Sequence, residues 1–396
     1  MISDNRFEAK FGSFHKNYIN HQNVTRFIHA SDIHLGSHQY RNSYRADDFI
    51  RAFQEILELA IENQVDFIIL GGDVFTSLEM LPNKLTKIIT LLTNFKNFTN
   101  DTILIIAIEG NHDIRKFSRG IRFERRDQSW LKLLNSLKLI VLLDTDLEAP
   151  PEHMFKPYNF ITFKGGKIQI KNIVIYGTRY LGEKPIFFLS KIRKAIVKNG
   201  GLFNILLQHF GIDGQMENVP GVKIEAIQHL RHRVDYLALG HFHKQFILED
   251  WIYNPGSSEA VCSMDNSFKR GVFLVEISNK SGKFVKKVKM IRLMNRKYIW
   301  ETIYLNFRMR NNNEIESFLI EKLKSSLKYL DYNLHPSVPK MPILYLMIKG
   351  LEPFNSCKIK EKELTIKICD IFPVIDVRIY QKYMKSLKTL DNYILT

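Results

Sequence analysis

The sequence predicts an α/β protein with a mixed sheet system and a smaller α+β domain at its C-terminal end. Three observations carry this: short apolar strands alternate with amphipathic helices over residues 24–108, strands become denser after Leu137, and the character of the chain changes near Asn295. Taken in order, residues 1–24 are polar, hold no apolar segment of signal-peptide type, and read as a mobile tail. Residues 25-TRFIHAS-31 read as a strand, after which Phe49, Phe53, Ile56 and Ala60 recur at helical spacing. Residues 66-DFIILGG-72 are strand-like, 82-PNKLTKIITLLTNF-95 is a helix opened by proline, and 102-TILIIAIEG-110 is a further strand. Repeated units of this kind give parallel strands joined by right-handed crossovers. A helix near 186–198, strands near 202–208 and 235–239, and antiparallel strands at 244–254 and 270–293 complete a domain over 25–295. The remaining residues, 296–396, carry a helix at 314–330, the turn 336-PSVPKMP-342 and the strand 343-ILYLMIKG-350.

The chain has 396 residues, with 57 Lys and Arg against 41 Asp and Glu and a net charge of +16, a field that attracts polyanions, with nucleic acid or an acidic membrane surface as the leading partners. Its three cysteines, Cys262, Cys357 and Cys369, draw no disulfide framework and no CxxC knuckle, which fits a reducing compartment. The longest apolar runs, such as 103-ILIIAI-108, have strand length and cannot span a bilayer. The expectation is a cytoplasmic protein (nuclear if eukaryotic) with no membrane partner.

Five short segments each follow an expected strand: Asp32-Ile33-His34, Gly72-Asp73, Gly110-Asn111-His112-Asp113, Gln208-His209 and Gly240-His241-Phe242-His243. In α/β folds the carboxyl ends of strands converge on the crevice where ligands sit. If the strands persist, Asp32 and His34 point to one side, as do His241 and His243. Carboxylate, imidazole and one amide, with no thiolate, suit manganese, iron, zinc or magnesium. Seven candidates, Asp32, His34, Asp73, Asn111, His209, His241 and His243, are too many for one tetrahedral ion and right for two. Two ions roughly 3.5–4 Å apart can clamp the oxygens of a phosphoryl group during in-line displacement. Asp73 is the natural bridge, since a carboxylate has two oxygens. His29 lies inside the first strand and reads as a packed core residue, and His15, His21, His229 and His232 read as tail or surface.

The order D-x-H, GD, GNH[DE], H, GHxH resembles the calcineurin-like metallophosphoesterase superfamily. Within it, 26-RFIHASDIHLG-36, 70-LGGDVF-75 and 240-GHFHK-244 look like the double-strand-break repair nucleases, called meiotic recombination eleven in eukaryotes and archaea and SbcD in bacteria. The resemblance implies a mixed β-sandwich flanked by helices, followed by a capping domain that helps hold DNA. It implies that Asp32, His34, Asp73 and His243 ligate a first metal, and Asp73, Asn111, His209 and His241 a second. His112 would be a non-ligand that contacts the scissile phosphate and assists the leaving oxygen. Manganese dependence, 3′→5′ exonuclease and single-strand endonuclease activity, and a homodimer are further implications. Thr76 stands where many family members place a second histidine. Relatives often extend to a helical segment that docks an SMC-like coiled-coil ATPase of SbcC type; that segment is not evident here, and the partner stays an open expectation.

Residues 115-RKFSRGIRFERR-126 hold Arg115, Lys116, Arg119, Arg122, Arg125 and Arg126 against one acid, and residues 280–297 hold eight basic residues and no acid. Both read as phosphate-tracking surface, or else as a solvated face on a basic protein. No aromatic stacking platform is evident along the chain. Leu85, Ile88, Ile89 and Leu92, with Trp130 and Leu134, are expected to leave surplus apolar surface for a self-complementary contact, some of them also serving the core. Two other functions use the same residues. A phosphoesterase for a nucleotide or other small phosphoester would share every ligand but has no need of basic runs. A non-catalytic scaffold would have no reason to keep all seven donors and His112.

Overall fold

The computed structural model describes residues 6–13, 24–114, 129–280, 282–305, 309–351 and 359–384. They fall into two compact units, Met1–Gln39 with Phe49–Met294, and Tyr40–Asp48 with Asn295–Thr396.

The first unit holds twelve strands among the described residues: β1 (Val24–Ala30), β2 (Phe67–Leu70), β3 (Leu104–Ala107), β4 (Val141–Leu142), β5 (Lys167–Ile170), β6 (Ile173–Gly177), β7 (Phe203–His209), β8 (Tyr236–Gly240), β9 (Phe246–Leu248), β10 (Ile252–Asn254), β11 (Gly271–Lys280) and β12 (Lys283–Arg292). Its helices are α1 (Arg6–Phe11), α2 (Ser43–Glu62), α3 (Pro82–Phe98), α4 (Trp130–Ser136), α5 (Pro151–Met154), α6 (Ile186–Ala195) and α7 (Ile224–Ile227), with the first turns of α2 assigned to the second unit. The strands form two six-stranded sheets, in the orders β12-β11-β1-β2-β3-β4 and β5-β6-β7-β8-β10-β9. β1 to β4 run parallel, as do β6, β7, β8 and β10, while the hairpin β11-β12 joins β1 antiparallel.

The inner faces of the two sheets share one buried cluster that includes Phe27, Phe67, Ile69 and Ile106 from the first, and Ile175, Ile205, Leu207 and Tyr236 from the second. Outside the first sheet, Phe53 and Ile56 of α2, Ile88 and Leu92 of α3, and Leu131 of α4 pack against Ile28, Ile68 and Ile105. Outside the second, Leu189 and Ile192 of α6 and Ile227 of α7 pack against Val174, Leu206 and Leu237. This is a mixed β-sandwich flanked by helices. Because β2, β7 and β8 are buried on both faces, their sequences are continuous apolar runs and do not alternate. Each such side chain contributes roughly 1.5–3 kcal/mol relative to an exposed one.

In the second unit, β13 (Tyr298–Leu305), α8 (Asn312–Ser326), β14 (Ile343–Leu351), α9 (Glu361–Ile371) and β15 (Asp376–Met384) follow one another, and the three strands are parallel in the order β13-β14-β15. The Asn311 side chain caps α8 by accepting from the Glu314 N–H. Ile315, Leu319 and Leu323 of α8 and Leu364 and Ile368 of α9 bury against Ile303, Leu344, Leu346 and Val377. Arg45, Asp48 and Arg296 form a buried ionic network in this unit. The Asp48 carboxylate accepts from Arg45 Nη1 at 2.6 Å and from Arg296 Nε and Nη2 at 2.6 and 2.8 Å.

One expectation needs correction, and another is resolved residue by residue. The polar tail over residues 1–24 is helical over Arg6–Phe11, because Phe7 is buried against Phe95 and Phe98 and Lys10 pairs with Glu58 and Glu62. Of the six residues expected to leave apolar surface for a dimer, Ile88, Leu92 and Leu134 are consumed by the core, leaving Leu85, Ile89 and Trp130 half-buried. Those three buried residues occupy the inward stripe of their helices, which the single sequence does not distinguish from a spare face.

Candidate metal centre

The carboxyl ends of β1, β2, β3, β7 and β8 deliver the chemistry-bearing residues to one place. Asp32, His34 and His243 form one group and Asp73, His209 and His241 another, with the candidate ligand atoms of each group within 4.8 Å of one another. Asn111 joins the second group through Oδ1, which lies 3.1 Å from His209 Nε2 and 3.0 Å from His241 Nδ1. Asp73 Oδ2 is 3.2 Å from His209 Nε2, and His34 Nε2 is 3.2 Å from His243 Nε2. All seven sequence candidates are thus brought together, but not by strand alternation. β1 stops at Ala30 and β8 at Gly240, and Asp32, His34, Asp73 and His241 take left-handed backbone conformations with φ of 50°, 53°, 50° and 90°. Such conformations cost non-glycine residues about 1–3 kcal/mol each and persist where surrounding contacts impose them.

The contacts that impose them are visible. The His34 N–H donates to Asp73 O, the Asp32 N–H to Gly72 O, and the His241 N–H to the Asp32 carboxylate. Gly72 has φ of 92°, and a Cβ there would sit 2.5 Å from the His209 ring. At Gly110 a Cβ would meet Asp73 Oδ1 at 2.2 Å, so only glycine lets the Asn111 loop approach the carboxylate.

Two of the imidazoles, those of His209 and His243, are oriented by a partner on the far nitrogen. His209 Nδ1 lies 2.7 Å from Gly71 O; a carbonyl only accepts, so Nδ1 carries the proton and the Nε2 lone pair of the neutral ring faces Asp73 and Asn111. Acceptors facing acceptors call for a cation or a proton between them, and the residues present fit a metal on that ground. His243 Nδ1 meets Asp265 Oδ2 at 2.9 Å. Burial and the neighbouring His243 hold His34 down at about 3, and burial with His209 holds His241 at about 4, so both rings are neutral electron-pair donors. Burial opposes charge on His209, yet the Asp73 carboxylate outweighs it and lifts that ring to about 9. Burial likewise opposes ionisation of Asp73, and His209 overrides it, keeping the carboxyl well below its ordinary value.

His112 is exposed beside the first group, its ring 5.0 Å from that of His34 in an edge-to-face pose. Its N–H donates to Asp73 Oδ1 at 2.8 Å, and its Nδ1 donates to Thr76 O at 2.9 Å. The Thr76 hydroxyl donates to His34 O at 3.1 Å. Asp113 is buried and accepts from the N–H groups of Val74, Phe75 and Gly110, so it clamps the loop and does not face the site. His29 is packed between Tyr236 and Leu239 O, as a core histidine should be. The basic residues Arg115, Lys116, Arg119, Arg122, Arg125 and Arg126 lie outside the described residues. Lys283, Lys287 and Lys289 share the exposed face of β12, an edge strand on which such charge also deters strand-to-strand association. Asp265 escaped sequence reading. It sits 22 residues beyond His243 in a single 3₁₀ turn, Met264–Ser267, with no motif to mark it.

A protein of Archaeoglobus fulgidus named DNA double-strand break repair protein Mre11 is 28% identical over 240 residues, covering 59% of this chain and 50% of that protein. One of the same name from Saccharolobus solfataricus is 26% identical over 373 residues, covering 93% of this chain and 85% of that protein. The chain therefore spans half the length of the first relative and most of the second. Among solved structures, the purple acid phosphatase PPD1 from yellow lupin overlaps 69% of this chain and 53% of its own at 12% identity, with a TM-score of 0.36. Residues 25–245, more than half the chain, match the calcineurin-like phosphoesterases, whose members use a dinuclear metal site and act on phosphoesters. The chain belongs to the calcineurin-like phosphoesterase family.

Proposed function

We propose that the chain is a metal-dependent DNA nuclease of double-strand-break repair, acting as a 3′→5′ exonuclease and single-strand endonuclease. The observation that carries the reading is the convergence of two donor groups, Asp32-His34-His243 and Asp73-His209-His241, with Asn111 Oδ1 completing the second. Asp32, His34, Asp73 and His243 would hold one ion, and Asp73, Asn111, His209 and His241 the other, manganese being the expected metal. When bound, the pair would neutralise a phosphodiester as a Lewis acid and lower the pKa of an attacking water.

The chain's own residues supply the rest. With Nδ1 committed to Thr76 O, His112 has Nε2 left to donate a proton to the 3′ oxygen that departs. Asp113 holds the loop that carries Asn111 and His112. Thr76 takes no charge near neutral pH, so it cannot be the cationic phosphate ligand or proton donor that a second histidine would be. DNA as substrate is supported by the net charge of +16, the exposed lysines of β12 and the names of the relatives. A homodimer and an SMC-like ATPase of SbcC type belong to the same reading.

The test compares end-labelled duplex DNA with a small bis-aryl phosphodiester in manganese. Shortening of the DNA is expected; hydrolysis of the small diester with intact DNA would point instead to a small-phosphoester enzyme. Asp73→Asn is expected to lower metal stoichiometry and abolish both reactions, and full occupancy with normal activity would overturn the assignment.

A further inference from the structure

Helices cover one face of the β13-β14-β15 sheet, and the other face has an unusual composition. Along β13, Trp300, Thr302 and Tyr304 are exposed while Ile303 and Leu305 are buried, so the even positions form the open face. Register then places the remainder. Trp300 lies opposite Tyr345, which lies opposite Arg378; Thr302, Met347 and Tyr380 form the next row, and Tyr304, Lys349 and Lys382 the one after. The Trp300 and Tyr345 rings stack at 4.3 Å with an interplanar angle of 17°, and the Tyr380 ring lies parallel to that of Tyr345 at 6.0 Å. Tyr40, from the segment that belongs to this unit, bonds its hydroxyl to that of Tyr345 and lies under the Arg378 guanidinium at 4.6 Å. Trp300, Tyr304 and Tyr380 remain 52%, 65% and 39% exposed, whereas Tyr345 is fully buried among the neighbouring rings and serves as their backing.

Single exposed apolar residues are ordinary, but three aromatic side chains on one sheet face, interleaved with cations, are not. An apolar protein surface would leave Lys349 and Lys382 without counter-charge, whereas Arg378 already has the Asp376 carboxylate two residues away on the same face of its strand. A single nucleic-acid strand meets both requirements, since its bases stack on aromatic rings and its phosphates pair with the cations. We propose that this face is a stacking platform for the unpaired bases of single-stranded DNA. The proposal rests on the DNA-directed reading above and adds a base-binding surface on three strands that carry no metal donor. Base stacking is sequence-tolerant, so the platform would grip a frayed or resected strand without reading it.

The experiment measures fluorescence anisotropy of labelled oligothymidine, and of an abasic oligomer of equal length, with the full chain in EDTA so that nothing is cut. The wild type is expected to bind oligothymidine about tenfold or more tightly than the abasic strand. Trp300→Ala with Tyr304→Ala should erase that margin and leave abasic binding and melting temperature unchanged, while Trp300→Phe keeps most of it. Lys349→Gln with Lys382→Gln should weaken both oligomers alike. Equal wild-type affinity for the two oligomers, or a margin that survives the double aromatic substitution, would overturn the platform. So would unchanged oligothymidine binding accompanied by an altered solution mass, which marks the face as a protein contact. Because no cleavage is involved, a chain that binds bases here yet cuts no DNA in manganese would refute the nuclease alone.

Discussion

Substituting His112 by serine separates chemistry from ligation. The ring makes one hydrogen bond, from Nδ1 to Thr76 O at 2.9 Å, and one edge contact with His34, and it is exposed. Its loss therefore costs the fold only about 0.5–1.5 kcal/mol, the ordinary worth of one hydrogen bond. The contact that positions Asp73 comes from the backbone N–H of residue 112, at 2.8 Å, which serine retains. Loss of a general acid slows a reaction by about 10²- to 10⁴-fold, or about 2.7–5.4 kcal/mol of barrier. The two quantities are far enough apart to be read independently. His112→Ser is expected to keep two metals per chain and its DNA affinity while cleaving a DNA end about 10²- to 10⁴-fold slower. The loss should shrink on bis-nitrophenyl phosphate, whose leaving group needs little protonation. Metal content by elemental analysis and kcat on both substrates decide it. Loss of a metal would make His112 a ligand support, and equal losses on both substrates would make phosphate positioning its task.

Asp265→Asn is expected to weaken metal binding about 10- to 100-fold while leaving the fold intact, because the carboxylate orients His243 through Nδ1; unchanged affinity would refute a positioning role. His209 is lifted to about 9, above its unfolded value near 6.5. Its bound proton therefore stabilises the metal-free fold fully below about pH 6.5, and that contribution is lost as pH rises through about 9. Metal competes for the same nitrogen, so its apparent affinity should climb by up to about tenfold per pH unit and level off above about pH 9; a flat titration across that window would refute the argument. Asp48→Ala removes the carboxylate to which both buried guanidinium groups donate and should destabilise the second unit by about 3–5 kcal/mol in urea, followed by the fluorescence of Trp300; a loss below about 1 kcal/mol would show that their remaining hydrogen bonds suffice.

How much of this was legible in advance divides along physical lines. The mixed α/β layering could be read because apolar runs such as 66-DFIILGG-72 have strand length and alternate with helical periodicity. The donor residues stood out because parallel strands end on one side of a sheet, so motifs that follow successive strands converge. Their conformation could not be read, since the left-handed turns at Asp32, His34 and Asp73 are imposed by hydrogen bonds between segments about 40 residues apart. The fate of Ile88, Leu92 and Leu134 was equally closed, because an amphipathic stripe does not say whether the core or a second copy receives it. Asp265 and the carbonyls of Gly71 and Thr76 carry no motif, because a backbone oxygen or a lone carboxylate acquires its role only from the ring it faces. The aromatic face of the second unit makes the same point. Trp300, Tyr345 and Tyr380 lie on three different strands, and only parallel register, set by α8 and α9 burying the opposite face, makes neighbours of them. Residue type and chain order determined which chemistry this protein can hold; strand pairing decided which side chains orient that chemistry and which surface stands open beside it.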